Sequence, residues 1–283
     1  KDGHRIYIRG ILYIMAKALN EVYPEALLSV NYQLSSAMFC KIDNMEITDE
    51  MIAKVKARMQ EIIDQNLEIR KVVMTKEEAE EFYSNEKTLR GIVQIDNTQK
   101  EGVSLYYCED YFNYFFGVMP VTTAYTDIFD VIKYGDGFLV RYPSAEKPNE
   151  LTNYKSNKKL LSTLEEYEDI HRVLQIDTLY KLNKEIKEGR TSNVILLSEA
   201  LHEKKMANIA DDIAKRKNVK MVLIAGPSSS GKTTFAKRLG VELRLNGLKP
   251  VTISVDNYFV ERVDNPKDET GDYDFECLEA IDL

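Results

Sequence analysis

Gly226-Pro227-Ser228-Ser229-Ser230-Gly231-Lys232-Thr233, followed by Thr234, is the stretch on which the fold reading turns. It fits the pattern GxxxxGK[ST]. The apolar run Lys220–Ala225 before it predicts a strand, and Lys232–Asn246 after it predicts a helix with apolar Phe235, Leu239, Val241 and Leu243. A glycine-rich turn between strand and helix is a phosphate cradle. Gly226 and Gly231 let the backbone approach an anion closely, successive N–H groups form a nest, and the helix adds its positive end. The Lys232 ammonium is expected between the β- and γ-phosphates of ATP or GTP, with the Thr233 hydroxyl on Mg²⁺. Residues 226–234 are therefore the candidate nucleotide-binding residues.

Downstream, Gly247 ends the helix, Pro250 opens a second predicted strand, Val251–Val255, and Asp256-Asn257-Tyr258-Phe259 lies at its end. In an open parallel sheet, ligands bind at that edge. A carboxylate there could take a proton from an attacking hydroxyl, which makes Asp256 a candidate catalytic base beside Lys232. A turn or helix-capping aspartate is the other reading of the same position.

Upstream, Ile8, Ile11, Leu12, Met15, Ala18, Leu19 and Val22 repeat with the helical period, and Pro24 closes the segment. Leu27–Gln33 and Ala37–Ile42 predict a hairpin turning near residues 34–36. Thr48 followed by Asp49 and Glu50 predicts an N-cap, with the stripe Ile52, Val55, Met59, Ile62 and Ile63 behind it. After the strand Ile69–Met74, Thr75-Lys76-Glu77-Glu78 fits a capping box. The Tyr- and Phe-rich segments Val103–Cys108, Tyr111–Phe116, Asp127–Tyr134 and Gly137–Tyr142 predict one antiparallel sheet. A polar stretch, residues 143–159, marks a boundary, and helical periodicity returns over Leu160–Leu174, Leu179–Ile186 and Val194–Ala214.

Among 283 residues, 44% are hydrophobic and 30% charged, the balance of a folded globular chain. A net charge of −8 does not support a nucleic-acid partner, which calls for a basic face. Cys40, Cys108 and Cys277 stand far apart and form no CxxC pair, as reduced thiols in a cytoplasmic protein would. No apolar run reaches membrane-spanning length. His4, His171 and His202 lack zincin spacing, so no metal site is expected at them.

The succession GPSSSGKTT, helix, NGLKP, VTISVDNYF resembles the uridine kinase and phosphoribulokinase group of P-loop kinases. The resemblance implies ATP-dependent phosphorylation of a nucleoside 5′-hydroxyl or another sugar hydroxyl, with Asp256 as base and Tyr258 beside the substrate. It also places Tyr273 and Glu276, in Tyr273-Asp274-Phe275-Glu276, at the ribose. It further implies later strands, a second Mg²⁺-orienting carboxylate and an Arg-bearing lid. None follows Leu283, so the chain is expected to be a fragment, inactive alone. Residues from about Tyr7 to Tyr142 are similar to the second additional domain of threonyl-tRNA synthetases, which clears mischarged tRNA through an HxxxH on its first helix and a later Cys and His. Counted back from Tyr23-Pro24, the first pair falls on Tyr7 and Ile11, and the second near Phe115 and Met119. None of these can serve as an editing base or metal ligand.

The expected architecture is thus an α+β synthetase-like domain over 1–145, a linker and helical bridge over 146–217, and the first part of a parallel-sheet P-loop kinase domain over 218–283. The alternative function is a nucleotide-binding regulatory or tRNA-associated protein without kinase turnover.

Overall fold

The first helix, α1 (Asp2–Val22), buries Ile11, Ile14, Met15, Ala18 and Leu19, the stripe its periodicity predicts. The computed structural model describes residues 2–84, 95, 102–115, 117–154, 158–227 and 229–282. These divide into two compact units, Lys1–Lys184 and Glu185–Leu283.

In the first unit, α1 is followed by β1 (Leu28–Gln33), β2 (Ala37–Ile42), α2 (Asp49–Asp64), β3 (Arg70–Thr75) and α3 (Lys76–Ser84). Then come β4 (Gly102–Cys108), β5 (Tyr111–Tyr114), β6 (Asp130–Tyr134), β7 (Gly137–Arg141), α4 (Lys158–Leu174) and α5 (Leu179–Lys187). Local chemistry sets several of the boundaries. The Thr48 side chain accepts from Met51 N–H and caps α2. Thr75 and Glu78 form a reciprocal capping box at α3: Thr75 N–H donates to the Glu78 carboxylate at 2.8 Å, and Glu78 N–H to Thr75 Oγ1 at 3.2 Å.

The aromatic-rich segments do not build one sheet. β6 and β7 join the hairpin in a four-stranded sheet of order β1-β2-β7-β6, while β4 and β5 join β3 in a three-stranded sheet, all antiparallel. Burial explains the split. Successive side chains alternate across a strand, so Cys40, Phe138 and Val140 meet α1 and α2 on one face of the larger sheet. Phe39 and Leu139 face the other way, against Leu161 and Leu164 of α4. Lys41 fixes α4 there, bonding Glu168 at 2.6 Å and Asp136 at 3.0 Å. The smaller sheet packs Val103, Leu105 and Phe112 against Ala79 and Tyr83 of α3. Its opposite face carries Tyr106, Cys108 and Tyr111 onto Tyr13 of α1.

At the junction of α1 with the β4–β5 hairpin lies a buried ammonium. Lys17, 2% exposed, bonds Glu21 at 2.6 Å and Glu109 at 3.1 Å, and Arg58 of α2 reaches the same Glu21 at 2.6 Å. Burial alone would depress Lys17, but the two carboxylates outweigh it and hold the ammonium above its ordinary range.

The second unit contains α6 (Thr191–Lys215) and α7 (Lys232–Leu245), which share the small core of Ala210, Leu239 and Leu243 with Ile213, Ile224 and Phe235 against it. The two strands expected around the P-loop are not formed. Residues 219–227 and 250–254 belong to no ladder, and among the described residues there is no parallel sheet. Parallel strands are stable when both faces are covered. Here Leu223 is 85% exposed and Val251 83%. The expected parallel-sheet kinase domain is corrected accordingly: the described fold is mixed α/β with antiparallel sheets.

Candidate functional site

Each unit offers one place with functional geometry. In the second unit it is the loop before α7. Gly231 is the N-cap of that helix, with φ at +83°, and Ser229 is also left-handed at +59°. Two left-handed residues two positions apart curl the backbone, and at Gly231 the conformation is one that glycine adopts freely. Lys232 is the first residue of α7. Its Nζ donates to the carbonyls of Gly226 at 2.8 Å and Pro227 at 2.9 Å, so the ammonium is held over the start of the loop. Phe235 N–H donates to Gly231 O at 2.9 Å, leaving Thr233 and Thr234 in the exposed first turn. The left-handed turn, the ammonium and the helix N-terminus all suit a phosphate chain. Ser228 lies outside the described residues.

The remaining sequence-predicted residues stand apart from this loop. Asp256 is exposed in a 3₁₀ turn, Val255–Tyr258, and its carboxylate accepts from the Ser254 hydroxyl at 3.5 Å. Tyr258 accepts from Asp282 N–H through its carbonyl. Tyr273 lies under the Lys267 ammonium at 5.2 Å and beside Phe275. The Glu276 N–H is held by Asp274. No described hydrogen bond or ion pair brings Asp256, Tyr258, Tyr273 or Glu276 to Lys232. Among the described residues no three His, Cys, Asp or Glu side chains are grouped to hold a metal.

The first unit carries a cleft of about 460 Å³ between the three-stranded sheet and the 115–121 loop. Lys71, Ser104, Tyr106 and Tyr114 contribute its polar groups, and Ile69, Val118 and Val121 are among its apolar ones. Helix α1 supports the loop from behind. Arg9 Nη1 donates to Val118 O at 3.3 Å, and its guanidinium lies 2.8 Å from where a Cβ on Gly117 would stand. With φ at +85°, Gly117 is the residue that lets the loop pass so close. Tyr13, fully buried, donates between Tyr106 O at 2.9 Å and Tyr111 O at 3.2 Å and packs edge-on against Phe115. The Tyr106 hydroxyl in turn donates to Gly117 O.

The pair of α1 that faces this loop is therefore Arg9 and Tyr13, not Tyr7 and Ile11. A two-residue offset turns about 200° around a helix. Tyr7 accordingly points to the other side, where its hydroxyl donates to Ile128 O at 2.7 Å, and burial pushes its pKa up to about 12. Ile11 is core. Met119 is buried beneath the loop and Phe115 packs beside it; Phe116 lies outside the described residues. No His, Cys or carboxylate lines the cleft among the described residues.

The chain is similar to threonine–tRNA ligases. It is 29% identical to that of Clostridium acetobutylicum over 108 residues, 38% of this chain and 17% of the ligase. It is 26% identical to that of Thermoplasma volcanium over 175 residues, 59% of this chain and 26% of the ligase. A third, from Sulfurihydrogenibium, is 29% identical over 112 residues. The chain spans about a sixth to a quarter of the length of these relatives. Each matched stretch is longer than the second unit, so each runs into the first. No family model matches the chain.

These relatives overturn the expectation of a uridine-kinase-like phosphotransferase. They are ligases, and the sheet that would bring Asp256 to the phosphates is absent from the described fold. Among the described residues no helix is long and apolar enough to cross a membrane.

Proposed function

We propose that this chain is a tRNA-associated, nucleotide-binding protein that does not transfer phosphate to a nucleoside. The observation that carries the reading is the similarity to threonine–tRNA ligases, which extends into the unit holding the cleft. In this reading residues 1–145 correspond to the synthetases' second additional domain, 146–217 form a bridge, and 218–283 hold the nucleotide. The cleft binds without deacylating, because Arg9 and Tyr13 support the loop and supply no base. ATP or GTP sits on residues 226–234, with Lys232 on its phosphates and Thr233 on Mg²⁺. Asp256, Tyr258, Tyr273 and Glu276 are assigned no role in it.

Fluorescence anisotropy of labelled tRNA, titrated with the full chain, tests the first half. Saturable binding is expected, with a shallow salt dependence, since a chain of net charge −8 can present only a local set of phosphate contacts. Titration with a fluorescent ATP analogue should show binding that added nucleosides leave unchanged, with no ADP released. Failure to bind tRNA at low salt would overturn the proposal.

A further inference from the structure

Beside the cleft, an antiparallel pairing stops short. Thr123 N–H donates to Leu67 O and Ile69 N–H to Val121 O, both at 2.9 Å, around the bridge between Glu68 and Thr122. In such a ladder the groups on one edge recur at every second residue, so this edge continues through Lys71, Val73 and Thr75. Thr75 N–H is already taken by the Glu78 carboxylate. Among the described residues, the main-chain groups of Lys71 and Val73 meet no partner on that side, because β3 pairs only with β4. Among the described residues no ladder bond follows Val121 on the opposing chain.

Grooves flank this open edge on both faces. One is the cleft under the 115–121 loop. The other, about 510 Å³, runs along Val72, Met74, Phe82 and Tyr107. Val73 at the edge is 63% exposed, as are Val118 at 64% and Val121 at 63% on the loop. A free edge with a groove on either side meets the requirements of strand addition: main-chain bonds give affinity, and alternate side chains enter alternate grooves. A nucleic-acid strand has no matching N–H and C=O repeat. Charge narrows the sequence, since Lys71 is the one charged side chain lining the cleft among the described residues.

We propose that the β3 edge at Lys71–Val73 docks an extended peptide segment of a protein partner, with acidic side chains toward Lys71 in the cleft and apolar ones toward Val72, Met74 and Phe82 in the other groove. This surface borders the cleft on which the tRNA reading rests and uses none of the P-loop residues.

The test is amide hydrogen exchange on the full chain, with the acetylated, amidated peptide VEVTVEVT as probe. Exchange at Lys71 and Val73 is expected to be fast in the free protein and to slow by about tenfold or more at saturation. The Lys71→Glu variant should bind the peptide about fivefold or more weakly, and Val73→Pro, which removes an edge N–H, should abolish protection. Should Val73→Pro fail to fold, Lys71→Glu and exchange in the unaltered chain still decide the matter. The proposal is overturned if both amides are protected without peptide, if millimolar peptide leaves them unchanged, if Lys71→Glu binds as tightly as the parent, or if a thymidine oligonucleotide protects them equally.

Discussion

Replacing Lys232 with alanine is expected to weaken nucleotide binding by about ten- to a hundredfold, the range for losing a hydrogen bond to a charged group. The ammonium is already fixed by the carbonyls of Gly226 and Pro227, at 2.8 and 2.9 Å, at the mouth of a loop curled by Ser229 and Gly231. A phosphate chain entering that curl meets a positioned cation and the N-terminus of α7 together. Alanine removes the cation and leaves the helix end, so residual binding remains. Isothermal titration with ATP and Mg²⁺ measures the change, and the tRNA titration serves as control, since its site is proposed in the other unit. An affinity within twofold of the parent would refute the assignment of Lys232.

Tyr13→Ala should be the most damaging single change in the first unit, costing about 3–5 kcal/mol, as removal of a large buried aromatic does. Tyr13 is fully buried, touches Tyr111 and Phe115 edge-on, and its hydroxyl lies between two carbonyls of the β4–β5 hairpin. Tyr13→Phe keeps the ring and drops the hydroxyl, so about 1–2 kcal/mol is expected. Urea unfolding followed by hydrogen exchange in β4 and β5 reports on this unit alone. If the alanine variant lost less than the phenylalanine variant, the ring would not be the support the packing implies.

Much of the first unit was legible from the sequence because its signals are local. Thr48 and the Thr75–Glu78 box mark helix starts by bonds made within three residues, and both are made as expected. The hairpin turns at residues 34–36, with β1 and β2 within a residue of the predicted limits. Strand partnership is not local. Nothing in the composition of Val103–Cys108 or Gly137–Tyr142 says which will pair with Arg70–Thr75 and which with Ala37–Ile42; that is decided by where α1 lies between the two sheets. The phase of α1 escaped for a related reason. Counting back from Pro24 fixes position along the helix, but a small error in the count selects a different face, and so Arg9 and Tyr13 were missed. The available signal was a tyrosine inside an apolar stripe, whose hydroxyl must find a partner once buried. In the second unit, Val251–Val255 reads as a strand from its β-branched residues, but propensity cannot supply the neighbours a ladder needs.

The ammonium of Lys17 also makes this fold sensitive to acid. Burial would raise the Glu21 carboxyl, but Lys17 and Arg58 outweigh it and hold Glu21 below the usual carboxylate range. A group depressed in the folded state stabilises it above the unfolded pKa, and that contribution is lost as pH falls through the folded value. Below about pH 4, near the ordinary carboxylate pKa, protonation would begin to strip Lys17 of the Glu21 charge while the ammonium stayed charged and enclosed. Acid should therefore part the β4–β5 hairpin from α1 and α2 before it melts the helices themselves, and the cleft would be the first feature of the molecule to go.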